Sequence, residues 1–409
     1  MARSKNRCRI RRLVFLQIFA CAALWAVPAG AESGNTNSLQ RTVTVRVVVP
    51  WGSGTVYLAG NLPELGPWSP HKFAMNGHGS NRIAVLHLPA DSSLEFKFTL
   101  GSWESVETTS AGDDVPNRTY TVPATGEATY VGTVGAWKST NATTARKSTA
   151  TASVSVLTTN FAMPQLGRTR RIWLYLPPDY ATSTNTYPVL YMHDGQNVFD
   201  DATSFAGEWG VDETLDQLHA QGDPGCMVVA VDNDGQHRME EYQPDFKQND
   251  GGEGGKYVDF LVHTLKPYID QHYRTRPDRI NTGIAGSSLG GIISLYAGLK
   301  YPDVFGRVCV FSAPLYMQPK LSELALQAKP LKPATRFYFL CGLKETTPPD
   351  RLAKLQQQMV ESLAVAGFKI DDLRTVVSPD GQHAEWFWRR EFPAAYKWLF
   401  TPVLVGQSP

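Results

Sequence analysis

A serine on a sharp turn, a histidine that can take its proton and a carboxylate that orients the histidine together make an acyl-transfer nucleophile. The run Gly286-Ser287-Ser288-Leu289-Gly290-Gly291 follows an apolar stretch, 280–285, and precedes a helical one, 290–299. In that strand–turn–helix setting Ser288 is held in strained backbone geometry with Oγ exposed. Side chains two residues to either side would strike the elbow, so glycine is needed there. The helix N-terminus beneath favours developing negative charge. A fold with this elbow carries its acid and then its histidine further along the chain. His383, in Asp380-Gly-Gln-His-Ala384, is the only histidine after Ser288 and is the expected base. The acid is expected just beyond the apolar run 337–340, where Glu345 stands. Asp350 is its rival five residues on, and Asp371 and Asp372 fall in a helix-to-strand turn. Two amides must hold the oxyanion. One is that of Leu289; the other comes from the loop after 189–192, through Gly195 or Gln196. His193 in that loop has no partner at metal spacing, so it reads as a buried structural residue rather than a metal ligand.

These groups need a frame. From about residue 154, apolar runs at 172–176, 189–192, 227–231, 280–285, 308–311 and 336–340 alternate with helical spacing at 257–268, 290–299, 352–366 and 391–399. Strand–helix alternation predicts an α/β fold with a mostly parallel sheet, and the continuous run Met227-Val-Val-Ala-Val231 suits a strand covered on both faces. Residues 42–134 differ: short β-branched and aromatic alternations broken by turns predict an all-β sandwich. Between them, 12 of the 15 residues 139–153 are Ser, Thr or Ala, the composition of a flexible linker. The expected organisation is a β-sandwich over 40–135, a linker over 136–160 and an α/β domain over 161–403. Residues 248–255 are glycine-rich and expected to form a mobile lid.

Residues 1–31 have the pattern of a cleavable signal: six basic residues, an apolar run 13–27 and Ala29-Gly30-Ala31. Export, to the periplasm or outside the cell, follows as an expectation, and the run is short for a membrane anchor. Six of the 39 Lys and Arg lie there, which leaves 33 against 38 acidic residues and argues against nucleic acid as a partner. Cys226, Cys309 and Cys341 remain in the mature chain, too few and too widely spaced for a disulfide framework.

Five stretches of the second domain carry a family resemblance: Tyr187-Pro-Val-Leu-Tyr-Met-His-Asp-Gly-Gln-Asn197, Tyr268-Ile-Asp-Gln-His-Tyr-Arg-Thr275, Ala285-Gly-Ser-Ser-Leu-Gly-Gly291, Tyr301-Pro-Asp-Val-Phe305 and Gly381-Gln-His383. With them residues 165–400 resemble the esterase family of α/β-hydrolases that includes esterase D, enterochelin esterases and feruloyl esterases. The resemblance implies ester hydrolysis without metal or cofactor, with Ser288 as nucleophile, His383 as base and Glu345 as acid, where the family often has Asp. In the first domain, Val56-Tyr-Leu-Ala-Gly-Asn-Leu-Pro-Glu-Leu-Gly-Pro-Trp68, Leu88-Pro-Ala90, Phe96-Lys-Phe98, Trp103-Glu104 and Asn117-Arg-Thr-Tyr-Thr-Val-Pro123 resemble a starch-binding carbohydrate module of the CBM20 type. That resemblance implies a glucan site at Trp68, Trp103, Lys97 and Asn117. The family's strand tryptophan before Leu88-Pro89 is replaced near Arg82, and the segment from Trp103 to Asn117 is long and acidic. The resulting expectation is an exported serine esterase tethered to a starch- or glycogen-like α-glucan or another polysaccharide. Its rivals are a siderophore-ester hydrolase and a glucan-binding protein with an inactive hydrolase domain.

Overall fold

In the computed structural model, which describes residues 40–110, 112–138, 147–204, 207–235, 237–246, 252–346 and 348–400, the alternating residues of the N-terminal half become eight strands. β1 (Gln40–Val48) pairs antiparallel with β3 (Asn81–Pro89) and parallel with β7 (Thr129–Thr133). β4 (Ser93–Thr99) lies antiparallel between β2 (Tyr57–Gly60) and β6 (Arg118–Thr121), and β5 (Glu107–Thr108) pairs with β8 (Ala136–Trp137). A two-residue side-chain period sends Val43, Val45 and Val47 inward against Leu58, Phe96 and Phe98. Phe96 and Phe98 meet edge to face, 5.5 Å between centroids. Truncating either to Ala would cost about 3–5 kcal/mol. Arg82 is buried because its guanidinium donates to the carbonyls of Ser53, Gly54, Gly79 and Asn81, clamping two turns.

The second domain is an eight-stranded sheet ordered β16-β15-β14-β13-β11-β12-β10-β9. Its strands are β9 (Val154–Met163), β10 (Arg168–Tyr175), β11 (Val189–His193), β12 (Met227–Val231), β13 (Thr282–Ser287), β14 (Arg307–Phe311), β15 (Arg336–Gly342) and β16 (Leu373–Ser378). β16 through β12 run parallel, and β10 and β9 add antiparallel at one edge. The helices are α1 (Val211–Ala220), α2 (Arg238–Tyr242), α3 (Gly254–Phe260), α4 (Lys266–His272), α5 (Leu289–Lys300), α6 (Lys320–Gln327), α7 (Arg351–Val365) and α8 (Glu385–Phe400). Successive residues of β11 point to opposite faces. Val189 and Tyr191 join Ile292, Leu295 and Leu363 in one core. Leu190 and Met192 join Leu215, Phe392 and Tyr396 in the other. Both faces are covered, so apolar runs rather than alternation mark these strands. Cys226, Cys309 and Cys341 are free and buried.

Three expectations change. The last helix begins at Glu385 rather than near 391, because Phe387 and Trp388 pack into the core beside Trp209 and Phe311. The helical run 257–268 is α3 and α4 joined through a wider π turn at Leu261–Leu265. The Ser/Thr-rich stretch is not loose throughout. β8 and β9 occupy the two ends of 136–160, and the segment from residue 148 is strapped onto carboxylates around α1. Ser148 Oγ donates to Asp200 at 2.8 Å, Thr149 Oγ1 to Glu208 at 2.8 Å, the Thr151 amide to Asp212 at 2.7 Å and Ser153 Oγ to Asp216 at 2.9 Å. Hydroxyls that composition reads as linker serve here as donors. The expected signal at 1–31 lies outside the described residues, as do 139–146 of the linker and 248–251 of the expected lid; Gly254 and Gly255 open α3.

Candidate active site

Ser288 sits at the N-cap of α5, directly after β13, with φ 57° and ψ −125°. A non-glycine residue held there costs about 1–3 kcal/mol and persists only where its surroundings enforce it. The Ser288 amide donates to Phe311 O at 2.9 Å, and Ser288 O accepts from the Gly291 amide at 3.0 Å. A Cβ on Gly286 would stand 2.7 Å from the Gly290 backbone, and one on Gly291 would stand 2.9 Å from Phe311 O. At Gly290 the nearest atoms to an added Cβ, in Asp194 and His193, are 3.4 Å away. The steric demand for glycine thus falls at 286 and 291 rather than symmetrically about the serine.

The loop after β16 carries His383, whose Nδ1 lies 2.8 Å from Glu345 Oε2. Glu345 is buried in the turn that follows β15, and its other oxygen accepts from Ser312 Oγ at 2.8 Å and from the Gly342 amide. Ser312 in turn accepts the indole N–H of Trp388 at 2.8 Å, and the Trp388 ring stands edge-on to His383, 5.2 Å between centroids. Asp350, the rival acid, is at the N-cap of α7 without a side-chain capping bond. Its carboxylate pairs with Lys354 Nζ at 2.7 Å.

Ser288, Leu289, His383 and Glu345 line one cavity of about 1380 Å³. From the end of β11 and the loop after it, His193, Asp194 and Asn197 reach that cavity. Gln196 turns its side chain onto the Asn233 backbone: the Asn233 amide donates to its Oε1 at 3.0 Å and its Nε2 donates back to Asn233 O at 3.1 Å. His193 is buried, 2.9 Å from the Tyr257 hydroxyl, and burial pushes its imidazole down to about 3, so it is neutral. Asp194 holds an αL conformation and receives Arg238 in bidentate fashion at 2.7 and 2.8 Å, with Asn233 Nδ2 at 2.6 Å. Burial alone would raise Asp194. The Arg238 charge outweighs it and holds the carboxyl below its ordinary value.

Glu385, two residues past His383, is buried on the same cavity and accepts from Asn197 Nδ2 at 3.1 Å. Burial, reinforced by Asp114 and Asp194 and opposed by Lys138, pushes its carboxyl up to about 8. Sequence reasoning passed over Glu385, Ser312, Trp388 and the Asp194–Arg238 pair. The position of Glu385 beside His383 was a usable signal; the other three depend on contacts between distant segments.

Trp68, Trp103, Lys97 and Asn117 line this same cavity. The two indoles are 6.4 Å apart between centroids with planes inclined at 40°. Trp68 has φ 57°, and its backbone N–H donates to Gly60 O at 2.6 Å. Lys97 is half-buried; burial pulls its ammonium down, while Asp114, Glu107 and Glu385 push it back up.

Comparison with known proteins agrees with this architecture. The family described as "Putative esterase" matches residues 163–399, and "Starch binding domain" matches residues 40–132. YbbA, an uncharacterized protein of Bacillus subtilis, is 26% identical over 244 residues, 56% of this chain and 92% of its own. An endo-1,4-beta-xylanase/feruloyl esterase of Xylanibacter ruminicola is 27% identical over 245 residues, 58% of this chain but 30% of that enzyme. The crystal structure of ferric enterobactin esterase from Salmonella typhimurium, 18% identical, aligns with a TM-score of 0.50 over 89% of this chain and 94% of that one, a likeness of fold.

Proposed function

The chain belongs to the esterase family, and on that premise we propose that it is a serine carboxylic-ester hydrolase with Ser288 as nucleophile, His383 as base and Glu345 as orienting acid. The observation that carries this reading is the 2.8 Å bond from His383 Nδ1 to a buried Glu345, opening on the cavity that Ser288 lines. With Nδ1–H committed to the carboxylate, Nε2 is left as the acceptor for the Ser288 proton. Ser288 Oγ attacks the ester carbonyl, and His383 takes its proton and returns it to the leaving alcohol. Water then hydrolyses the acyl-enzyme by the same route in reverse. The Leu289 amide at the start of α5 and the Gln196 amide in the loop after β11 hold the oxyanion. No metal or cofactor enters these steps.

The starch-binding domain over 40–132 supports an α-glucan as the polysaccharide partner. The basic, apolar and small-residue sequence over 1–31 supports export to the periplasm or outside the cell. The acyl group is set by the side chains around the cavity, so the test uses 4-nitrophenyl acetate, 4-nitrophenyl butyrate and methyl ferulate on the mature protein. Hydrolysis of at least one, fluorophosphonate labelling at Ser288, and loss of about 10³-fold or more of kcat in Ser288→Ala are expected. Undiminished turnover in Ser288→Ala would refute the mechanism.

A further inference from the structure

From the shared cavity we infer that the substrate is an acyl ester of an α-glucan or malto-oligosaccharide, its sugar seated on Trp68 and Trp103 while its ester lies at Ser288. The inference rests on the esterase reading above and deepens it. A module that only tethered the enzyme would bind its polysaccharide away from the serine, across a free linker. Here the geometry is the opposite. The sugar-facing residues Trp68, Trp103, Lys97 and Asn117 and the residues Ser288 and His383 border one space of about 1380 Å³. That exceeds the roughly 300–1,000 Å³ of sites built for a small molecule alone, and leaves room for sugar units beside an acyl group.

The module is also fastened where the chemistry is. The Trp68 indole N–H faces the hydroxyl of Tyr316. Tyr316 lies in the 3-10 turn Leu315–Met317, a few residues past Phe311, whose carbonyl holds the Ser288 amide. Arg351 at the start of α7 stacks on the Tyr316 ring at 3.9 Å and reaches the buried Glu95 of β4 at 3.7 Å. Lys97 and Glu385, two residues from His383, lie close enough to feel each other's charge. The strap from Ser148 to Ser153 holds that segment onto the second domain.

The consequence is steric. A glucan held on the tryptophans lies in the cavity that Ser288 lines, so it competes for that space with the alcohol part of any unrelated ester. The arrangement suits a sugar that is itself the alcohol part of the ester. The indole faces suit the apolar faces of sugar rings, and their 40° inclination follows a bent chain better than a flat one. In the reaction Ser288 Oγ forms its bond to the acyl carbon as the acyl–oxygen bond to the sugar breaks. The sugar oxygen takes the proton held by His383, and water releases the carboxylic acid and restores Ser288.

The experiment follows hydrolysis of the best 4-nitrophenyl ester by the full mature chain with maltoheptaose added. Competitive inhibition is expected: at ten times its dissociation constant maltoheptaose raises the apparent KM about elevenfold and leaves kcat alone. Trp103→Ala should raise the inhibition constant tenfold or more, with its melting temperature measured alongside to show that it folds. Mono-acetylated maltoheptaose should exceed ethyl acetate in kcat/KM by about 100-fold, since the sugar contacts add binding that ethyl acetate lacks. If calorimetry shows maltoheptaose bound while the aryl-ester KM is unmoved, or shows no binding at all, the inference is overturned and the esterase reading stands. If no aryl ester is turned over and Ser288 takes no fluorophosphonate, the esterase reading itself falls.

Discussion

Glu345→Gln separates charge and tautomer from shape at the centre of the site. Glu345 Oε1 accepts from Ser312 Oγ and from the Gly342 amide, while Oε2 faces His383 Nδ1. Both donors on the first oxygen are fixed, one by Trp388 and the other by the end of β15. The glutamine carbonyl must therefore take the Oε1 place and its NH₂ the Oε2 place. That NH₂ donates to Nδ1, which forces the imidazole proton onto Nε2, where it can no longer accept from Ser288. Loss of the counter-charge to the imidazolium acts in the same direction. A wrong-tautomer change of this kind lowers kcat by about 10⁴ in the serine-protease template, or about 5.4 kcal/mol at 1.36 kcal/mol per decade. KM should change little. Stability should fall by only about 1–2 kcal/mol, as two hydrogen bonds to an ionised acceptor become bonds to a neutral one. Steady-state kinetics on the best ester and urea melts measure both. Asp350→Asn is the control, because its carboxylate is engaged with Lys354 at 2.7 Å. A Glu345→Gln enzyme within tenfold of the wild-type kcat, or a crippled Asp350→Asn enzyme, would refute the assignment.

Gly286→Ala places a methyl 2.7 Å from the Gly290 backbone, which cannot yield as a side chain would; a loss of about 1–3 kcal/mol of unfolding free energy, seen as a lower urea midpoint, is expected, and an unchanged midpoint would remove the steric account of the elbow. Ser312→Ala leaves the buried Trp388 N–H without its acceptor and takes one donor from Glu345; stability should drop by about 1–3 kcal/mol while kcat falls by roughly tenfold or less, since the His383 bond survives, and a kcat loss as deep as that of Glu345→Gln would show that Ser312 does more than position. Glu385 titrates near 8 when folded against 4.5 as its ordinary value, chiefly through burial. The folded state holds that proton more tightly, so the stabilisation is complete below about pH 4.5 and is lost as pH rises through about 8. Melting temperatures from pH 5 to 9 should therefore decline more steeply in wild type than in Glu385→Gln, and parallel curves would show that Glu385 does not titrate in this range.

The parts of this protein that were legible in its amino-acid order are those set by local sterics and by periodicity. Ser288 was visible because a strand, a tight turn and a helix leave their marks within a dozen residues, and because glycines at 286 and 291 answer to contacts that the turn itself creates. The parallel sheet was visible because runs such as 227–231 stay apolar on both faces. The start of α8 was missed because what fixes it, Trp388 against Trp209, joins segments about 180 residues apart. Composition reads the Ser/Thr-rich strap as linker for a related reason: it states which groups are polar, and only the folded chain brings Asp200, Asp212 and Asp216 under them. Motifs point to Trp68 and Trp103 in one domain and to Ser288 in the other. That both face one cavity was decided by Arg351, Tyr316 and Glu95, whose contacts orient the two domains and carry no signature along the chain.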